Sequence, residues 1–395
     1  MLDVGLPIEA RGFEPSKSKT MASAVDAHKF NSDLLLEEDE RELGDRRYPT
    51  IMHVLDHPEL RQVFLEHDEP ANRAKRTGRI AGFLAIAFGF IALAIAALQY
   101  PLMHATGDAT LLQRVLASAS AVCGIISVLI GSIGVLFARR KREWLHQRLM
   151  GERIRQFHFQ TLVFRLPEIL ASLTDEAAKS TFLSQRKLWL DTFINRLKGN
   201  LAAAFVEMID EEEPTNVWLH EGRRELTKIP ESKELEPLFE AYRELRILHQ
   251  IDFINYKLQD DYRLFSAMPR RQAQVIVQAI LISIVALCAI NIGVLWQAFY
   301  PGSIWTAGGA DSISVASMWI ALAALAARAI EQGLQPEREA ERYQQYRSAL
   351  RAVLDRFDHT QSQAEKIPIM EEMERIAFDE LRNFLITNER ARFIL

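Results

Sequence analysis

Cysteine is nearly absent: Cys123 and Cys288 are the only two in 395 residues, and each lies inside an apolar run. Two isolated cysteines exclude a disulfide framework and a zinc site, and they read as small membrane-core side chains. The GxxxxGK[ST] phosphate loop, the dinucleotide glycine fingerprint, the HExxH helix, the CxxC pair and the GxSxG elbow are all missing. The common hydrolase, kinase and metalloenzyme routes therefore lack their starting residues, and the chain reads as a non-enzyme with no cofactor and no metal. A strong excess of one charge is also missing. A net charge of -5, with no basic face and no recognisable reading module, gives no case for nucleic acid. The first twenty residues contain no continuous apolar core and so form no secretory signal. Segment 1–55 is expected to be disordered, with Met21 offering an alternative start.

What the chain does have is concentrated apolarity. Ile80 to Tyr100 carries no charged residue, and at about 1.5 Å per residue it spans the roughly 30 Å hydrocarbon core. Val115 to Ala138 is a second uncharged run, joined to the first by the short connection Pro101 to Arg114. The layout recurs at Val275 to Phe299, followed by a Gly-rich turn, then Ser312 to Ile330, whose end holds Arg328. Runs of this length exceed what a buried helix of a soluble bundle needs. The expected fold is an all-α membrane protein of two transmembrane hairpins, four spans in all, with cytoplasmic helical bundle segments.

Basic residues flank the spans on one side only: Arg73, Lys75, Arg76 and Arg79 before the first, and Arg139, Arg140, Lys141 and Arg142 after the second. Arg270 and Arg271 precede the third, and Arg338 and Arg342 follow the fourth. The positive-inside rule then places both termini and the central region in the cytoplasm of a cell with this protein in its inner (plasma) membrane. Tyr100, Trp296, Tyr300 and Trp305 fall near the outer interface, where amphipathic rings are favoured.

The intervening chain is Leu-, Glu-, Arg- and Gln-rich at helical spacing, with breaks expected at Pro167, at Asp210 to Pro214, at Pro230 and at Pro269. This divides the sequence into 1–55, a first hairpin with flanking helices over 56–166, a helical linker region over 167–236, and a second hairpin with its neighbours over 237–395. Ile247, Ile251, Ile254, Leu258, Tyr262 and Phe265 form one stripe leading to the bilayer. Beyond the fourth span, Tyr343, Tyr346, Leu350, Val353 and Phe357 alternate spacings of three and four. Such a stripe is a coiled-coil or bundle contact, more often an ordinary bundle face than a partner site. Met373, Ile376, Ala377, Leu381, Phe384 and Leu385 mark a last amphipathic helix after a break at Pro368.

Among polar candidates, His146 and His158 are twelve positions apart, which does not bring two imidazoles to one metal. The acidic runs Glu37 to Glu40 and Asp210 to Glu213 read as solvated faces. Inside the membrane, Asp, Glu, Lys and His are absent from the span centres, which disfavours a proton-coupled transporter. Asn291 is the most costly remaining polar group to leave in lipid, and it either bonds another helix or lines a wet path. Ser127 with Gly131, and Ala85 with Gly89, are small-xxx-small pairs that permit close helix contact, within a hairpin or between subunits.

A charged helix enters and leaves each hairpin: AYRELRILHQIDFINYKLQDDYRLF before the second, EREAERYQQYRSALRAVLDRF after it, and FDELRNFLITNERARFIL at the end of the chain. In these segments the chain resembles the SLATT group, the SMODS- and SLOG-associating two-transmembrane effector domains of bacterial conflict systems, here in tandem. The first half fits less closely, with RLMGERIRQF carrying Gly151 where the group's pattern has Ala. The resemblance implies a pore-forming or membrane-disrupting antiphage effector, homo-oligomeric in the lipid bilayer and switched by a cytoplasmic sensor protein. A membrane-anchored helical scaffold without transport activity is the competing reading.

Overall fold

A computed structural model of the chain describes residues 31–106, 111–211, 215–220, 231–259, 268–299 and 307–391. Among them there is no strand, and four helices are long and apolar enough to cross a membrane. The chain is thus an all-α, multi-pass membrane protein. The expectations about residues 1–30, including the alternative start, and about the break at Pro230, Tyr262, Phe265, Tyr300 and Trp305, lie outside the described residues.

The first hairpin is built of two very long helices, α3 (Pro58–Thr106, 49 residues) and α4 (Leu111–Phe164, 54 residues). At about 1.5 Å per residue each exceeds 70 Å, more than twice the hydrocarbon thickness, so each carries on as a rod well outside the membrane. The connection is shorter than Pro101 to Arg114, because α3 continues through Pro101 to Thr106 and α4 begins at Leu111. A proline costs one backbone bond, which an apolar helix packed on a neighbour tolerates. The second hairpin is α8 (Pro269–Phe299) and α9 (Ala307–Leu334), the latter starting ahead of the expected Ser312. Here the rods are interrupted: α9 ends at Gln335, whose φ of 45° is left-handed, and α10 (Pro336–His359) sets off in a new direction with proline in its first turn. Arg328, at the end of the fourth span, pairs with Glu331 at 2.7 Å.

Outside the membrane the rods of α3 and α4 are enclosed by α1 (Glu38–Arg47), α2 (Met52–Leu55), α5 (Leu166–Thr174), α6 (Glu176–Asp210), α7 (236–257), α10 and α11 (Gln363–Arg390). One expectation is corrected here. Residues 31–55 are not all disordered: Leu34, Leu35, Tyr48, Ile51, Val54 and Leu55 are buried in the main core, and that burial holds α1 and α2 in place. The acidic run Glu37 to Glu40 opens α1 as a capping box, the Glu37 amide donating to Glu40 at 3.0 Å, where negative charge suits the helix dipole. Described residues of segment 167–236 also belong to the core. Phe182, Leu190, Phe193, Ile194 and Leu197 of α6 join the same core, and a non-helical Asn200 turns the helix so that Phe205 and Met208 pack into a second cluster with Trp144 and Phe378.

The expected breaks at Pro167 and Asp210 occur, α5 taking Pro167 into its first turn and Asp175 capping α6 through the amides of Ala177 and Ala178. Pro368 does not break the chain. It lies inside α11, which starts at Gln363, and near a helix start the proline forfeits a single bond while Ile367, Ile369, Met370 and Met373 bury their side chains.

Candidate functional site

Within the membrane the first hairpin closes through small residues. Ser127 donates its hydroxyl to the Ala85 carbonyl at 2.9 Å, and one turn or two away Ser120 donates to the Ala92 carbonyl at 2.8 Å. A Cβ added at Gly89 would lie 3.0 Å from Ser127 Oγ, so Gly89 is what lets the two backbones approach. Ala85, Gly89 and Ser127 therefore meet within one chain, and Gly131 follows one turn on in α4. The second hairpin docks on the first, where the Trp319 indole donates to the Ala94 carbonyl at 3.0 Å.

Asn291 is brought to none of these. It is exposed on α8 beside exposed Ile292, Val294 and Leu295, and its amide nitrogen turns back to the Leu287 carbonyl of its own helix at 2.7 Å. No described residue donates to its carboxamide oxygen. Exposed Trp296 follows at the end of the same helix, as a headgroup-level ring should.

The stripe after the fourth span is consumed by the chain itself. Leu350, Val353 and Phe357 are buried in the main core, Tyr346 nearly so, and Tyr343 packs against it. The Ile247, Ile251, Ile254 and Leu258 face is buried in the same way.

The first two residues of the stripe have another use. Tyr343 and Tyr346 line a cavity of about 300 Å³ at the neck of the molecule, where the helices leave the membrane. Five helices supply its wall: Lys75 on α3, Arg148 and Glu152 on α4, Lys257 on α7, Glu339 and Arg342 on α10, and Glu380 on α11. Aromatic rings complete it: Trp144 and Phe384 stand edge to face at 5.8 Å, and Phe253 meets Tyr343 at 6.3 Å. A smaller cavity shares Lys75, Trp144, Glu339, Arg342 and Phe384 and reaches Gly333 to Gln335, the bend beneath the fourth span.

Most of the charge in this wall is matched. Arg148 bridges Asp68 at 3.2 Å and Glu152 at 2.6 Å, Arg155 joins Glu152 and buried Asp33, and Arg342 pairs with Glu380 while lying over the Tyr343 ring. Behind the wall, Arg246 holds Glu374 bidentately at 2.8 and 2.9 Å, and Tyr242 donates to the same carboxylate at 2.8 Å. Arg246 belongs to a π-helical turn, Arg243–Leu248, between the α-helical stretches Glu236–Tyr242 and His249–Lys257 of α7. Such turns re-aim side chains and recur at functional sites.

Glu380, Lys75 and Tyr343 are among the groups of the wall that depart from ordinary titration. Burial lifts the Glu380 carboxyl to about 7, Arg342 opposing and Glu152 and Glu339 adding to the rise. The protein around Lys75 lowers its ammonium to about 8 by desolvation; Glu339 opposes this, and Arg148, Arg79 and Lys257 reinforce it. Burial raises the Tyr343 phenol well above its usual range.

No family model, curated protein or solved structure matches this chain. The site therefore stands on its own geometry. No group of three or more His, Cys, Asp or Glu able to hold a metal occurs among the described residues; His158 is buried in the bundle with its ring edge-on to Phe159, and His146 packs edge-on to Phe205. The neck cavity itself has no signature in the sequence. Lys75 reads there only as a flanking positive charge, and Arg342, Glu380 and Lys257 as charges on helix faces, because the five helices that unite them are far apart along the chain.

Proposed function

We propose that this protein is a homo-oligomeric membrane effector whose spans form or gate a passage between subunits, and whose extramembrane bundle, on the cytoplasmic side, receives the switching signal. The observation that carries the reading is Asn291. A carboxamide oxygen with no donor among the described residues, facing outward among Ile292, Val294 and Leu295, is costly against lipid and is relieved by water or by a neighbouring subunit. The charge-free spans favour a neutral or ion-permeable passage over a coupled transporter. The resemblance to the SLATT group points the same way, to an effector and not an enzyme. Against the scaffold reading stands the shortage of docking surface: large exposed apolar side chains of the bundle are scattered, as Leu43, Leu65, Leu188 and Val206, and the Tyr343 to Phe357 stripe is buried.

The test is membrane potential and growth on induced expression, comparing wild type, Asn291→Leu and an unrelated four-span protein at matched level. Depolarisation by the wild type that Asn291→Leu abolishes, with crosslinked oligomers retained, supports a passage. Intact potential at full expression, with and without a protein encoded beside it, overturns it in favour of the scaffold.

A further inference from the structure

The neck cavity holds two cations, Lys75 and Lys257, that no carboxylate of the described residues matches. Among the described residues no carboxylate lies within ion-pairing distance of Lys75 or of Lys257, the latter resting over the rings of Phe253 and Tyr256 at 5.5 and 5.6 Å. The other cations of the wall are saturated: Arg148 and Arg155 by Asp68, Glu152 and Asp33, and Arg342 by Glu380. Around Lys75, Arg79, Arg148 and Lys257 stand against Glu339, while Asp68, Glu152 and Glu380 of the wall pair with Arg148, Arg155 and Arg342, so the local field at its end of the cavity is positive. Ammonium groups gathered on one cavity wall repel one another, and an anion entering between them relieves that repulsion.

The remaining lining defines what can enter. Gln156 and Gln250 present amides, as does Asn72, which also donates to Asp68 at 2.8 Å, while the Tyr343 phenol is held by Glu339 at 3.4 Å. These donors and the two ammonium groups suit the oxygens of a phosphate, for which lysine is a point-charge partner. The flat faces of Phe253 and Trp144 suit an organic portion of modest size. We propose that this cavity is a binding site for a small phosphate-bearing anion, held between Lys75 and Lys257.

Its place gives the site leverage. Lys75 stands five residues before Ile80, the start of the first span, and the cavity's neighbour reaches the left-handed bend at Gln335 that joins the fourth span to α10. An anion here touches α3 and α4 of one hairpin and α10, which follows the other. The shared phosphate chemistry has two sources, a soluble organic phosphate or an anionic lipid headgroup reaching in past Gly333 to Gln335.

Binding does not depend on the passage proposed above, so it is measured directly on the full-length protein. In neutral detergent, inorganic pyrophosphate is titrated by calorimetry and by shift of the melting temperature. In parallel, the protein is melted in nanodiscs of phosphatidylcholine alone and with phosphatidylglycerol. Lys75→Gln and Lys257→Gln are compared with Lys198→Gln, an exposed site on α6 away from the cavity. Saturable pyrophosphate binding that weakens at least about tenfold in either cavity variant, and not in Lys198→Gln, supports a soluble ligand. Stabilisation by phosphatidylglycerol that the same variants lose supports the headgroup. No effect of either probe, or an effect the cavity variants leave intact, overturns the site. If one variant fails to fold the other decides, since the two lysines lie on different helices.

Discussion

Replacing Glu374 with leucine removes one half of a pair that the fold has taken fully out of water. Arg246 is 2% exposed and Glu374 0%, and the pair is bidentate with Tyr242 donating to the same carboxylate. Glu374 holds the Arg246 guanidinium more firmly protonated against the opposing effect of burial. In Glu374→Leu the guanidinium stays charged with no counter-ion, which costs about 3–5 kcal/mol. For a bundle of this size that is a fall of about 6–20 °C in melting temperature. Arg246→Met combined with Glu374→Leu replaces both charges by apolar groups and is expected within about 1 kcal/mol of wild type, or above it. The assay is thermal and denaturant unfolding in detergent, followed by fluorescence of buried Trp144. A coupling energy of at least about 2 kcal/mol between the two positions is the expected result. A Glu374→Leu shift below about 1 kcal/mol would refute the reasoning, since it would mean that water in the neck cavity solvates Arg246 unaided.

Three further outcomes follow from the geometry. Gly89→Val places a Cβ 3.0 Å from Ser127 Oγ and is expected to destabilise the first hairpin by about 1–3 kcal/mol, more than Ser127→Ala, in reversible unfolding in bicelles. His57 and His158 are 3% and 4% exposed, and burial lowers them to about 2 and about 3 from 6.5. The folded state thus binds fewer protons than the unfolded one, so their stability contribution is present above pH 6.5 and is lost as pH falls through 6.5 toward the folded values. About 2 kcal/mol per imidazole is expected to be gone by pH 5, and melts between pH 7.5 and 5 should show a slope that His158→Phe reduces. Gln335→Gly relieves a φ of 45° and should raise the melting temperature by a few degrees, about 1 kcal/mol, whereas Gln335→Val should lower it.

Much of the membrane architecture was legible without coordinates. Ile80 to Tyr100 and Val275 to Phe299 need lipid because of properties local to each run, length and the absence of charge. The turn at Pro167 and the helix start at Pro269 are equally local, since proline acts on its own backbone and on that of its immediate neighbours. The same locality explains the failures. Pro368 signals a break, yet the burial of Ile367, Met370 and Met373 outweighs one missing hydrogen bond. Residues 31–55 fall in a segment expected to be disordered, yet Leu35 and Ile51 complete one core with residues more than 100 positions away.

The candidate sites divide along the same line. Ala85, Gly89 and Ser127 could be named from spacing, because a hairpin brings its own two helices together. Whether Asn291 faced a neighbour or faced outward could not, because that depends on how the second hairpin is rotated against the first through Trp319. The neck cavity belongs wholly to the tertiary structure. The sequence by itself determined which segments leave water and which helices form, since hydrophobicity and backbone preference are properties of contiguous residues. Only the tertiary structure decided that Lys75 and Lys257 would share one cavity with no carboxylate of the described residues in ion-pairing distance of either, since charge pairing depends on distances between helices that no local pattern encodes.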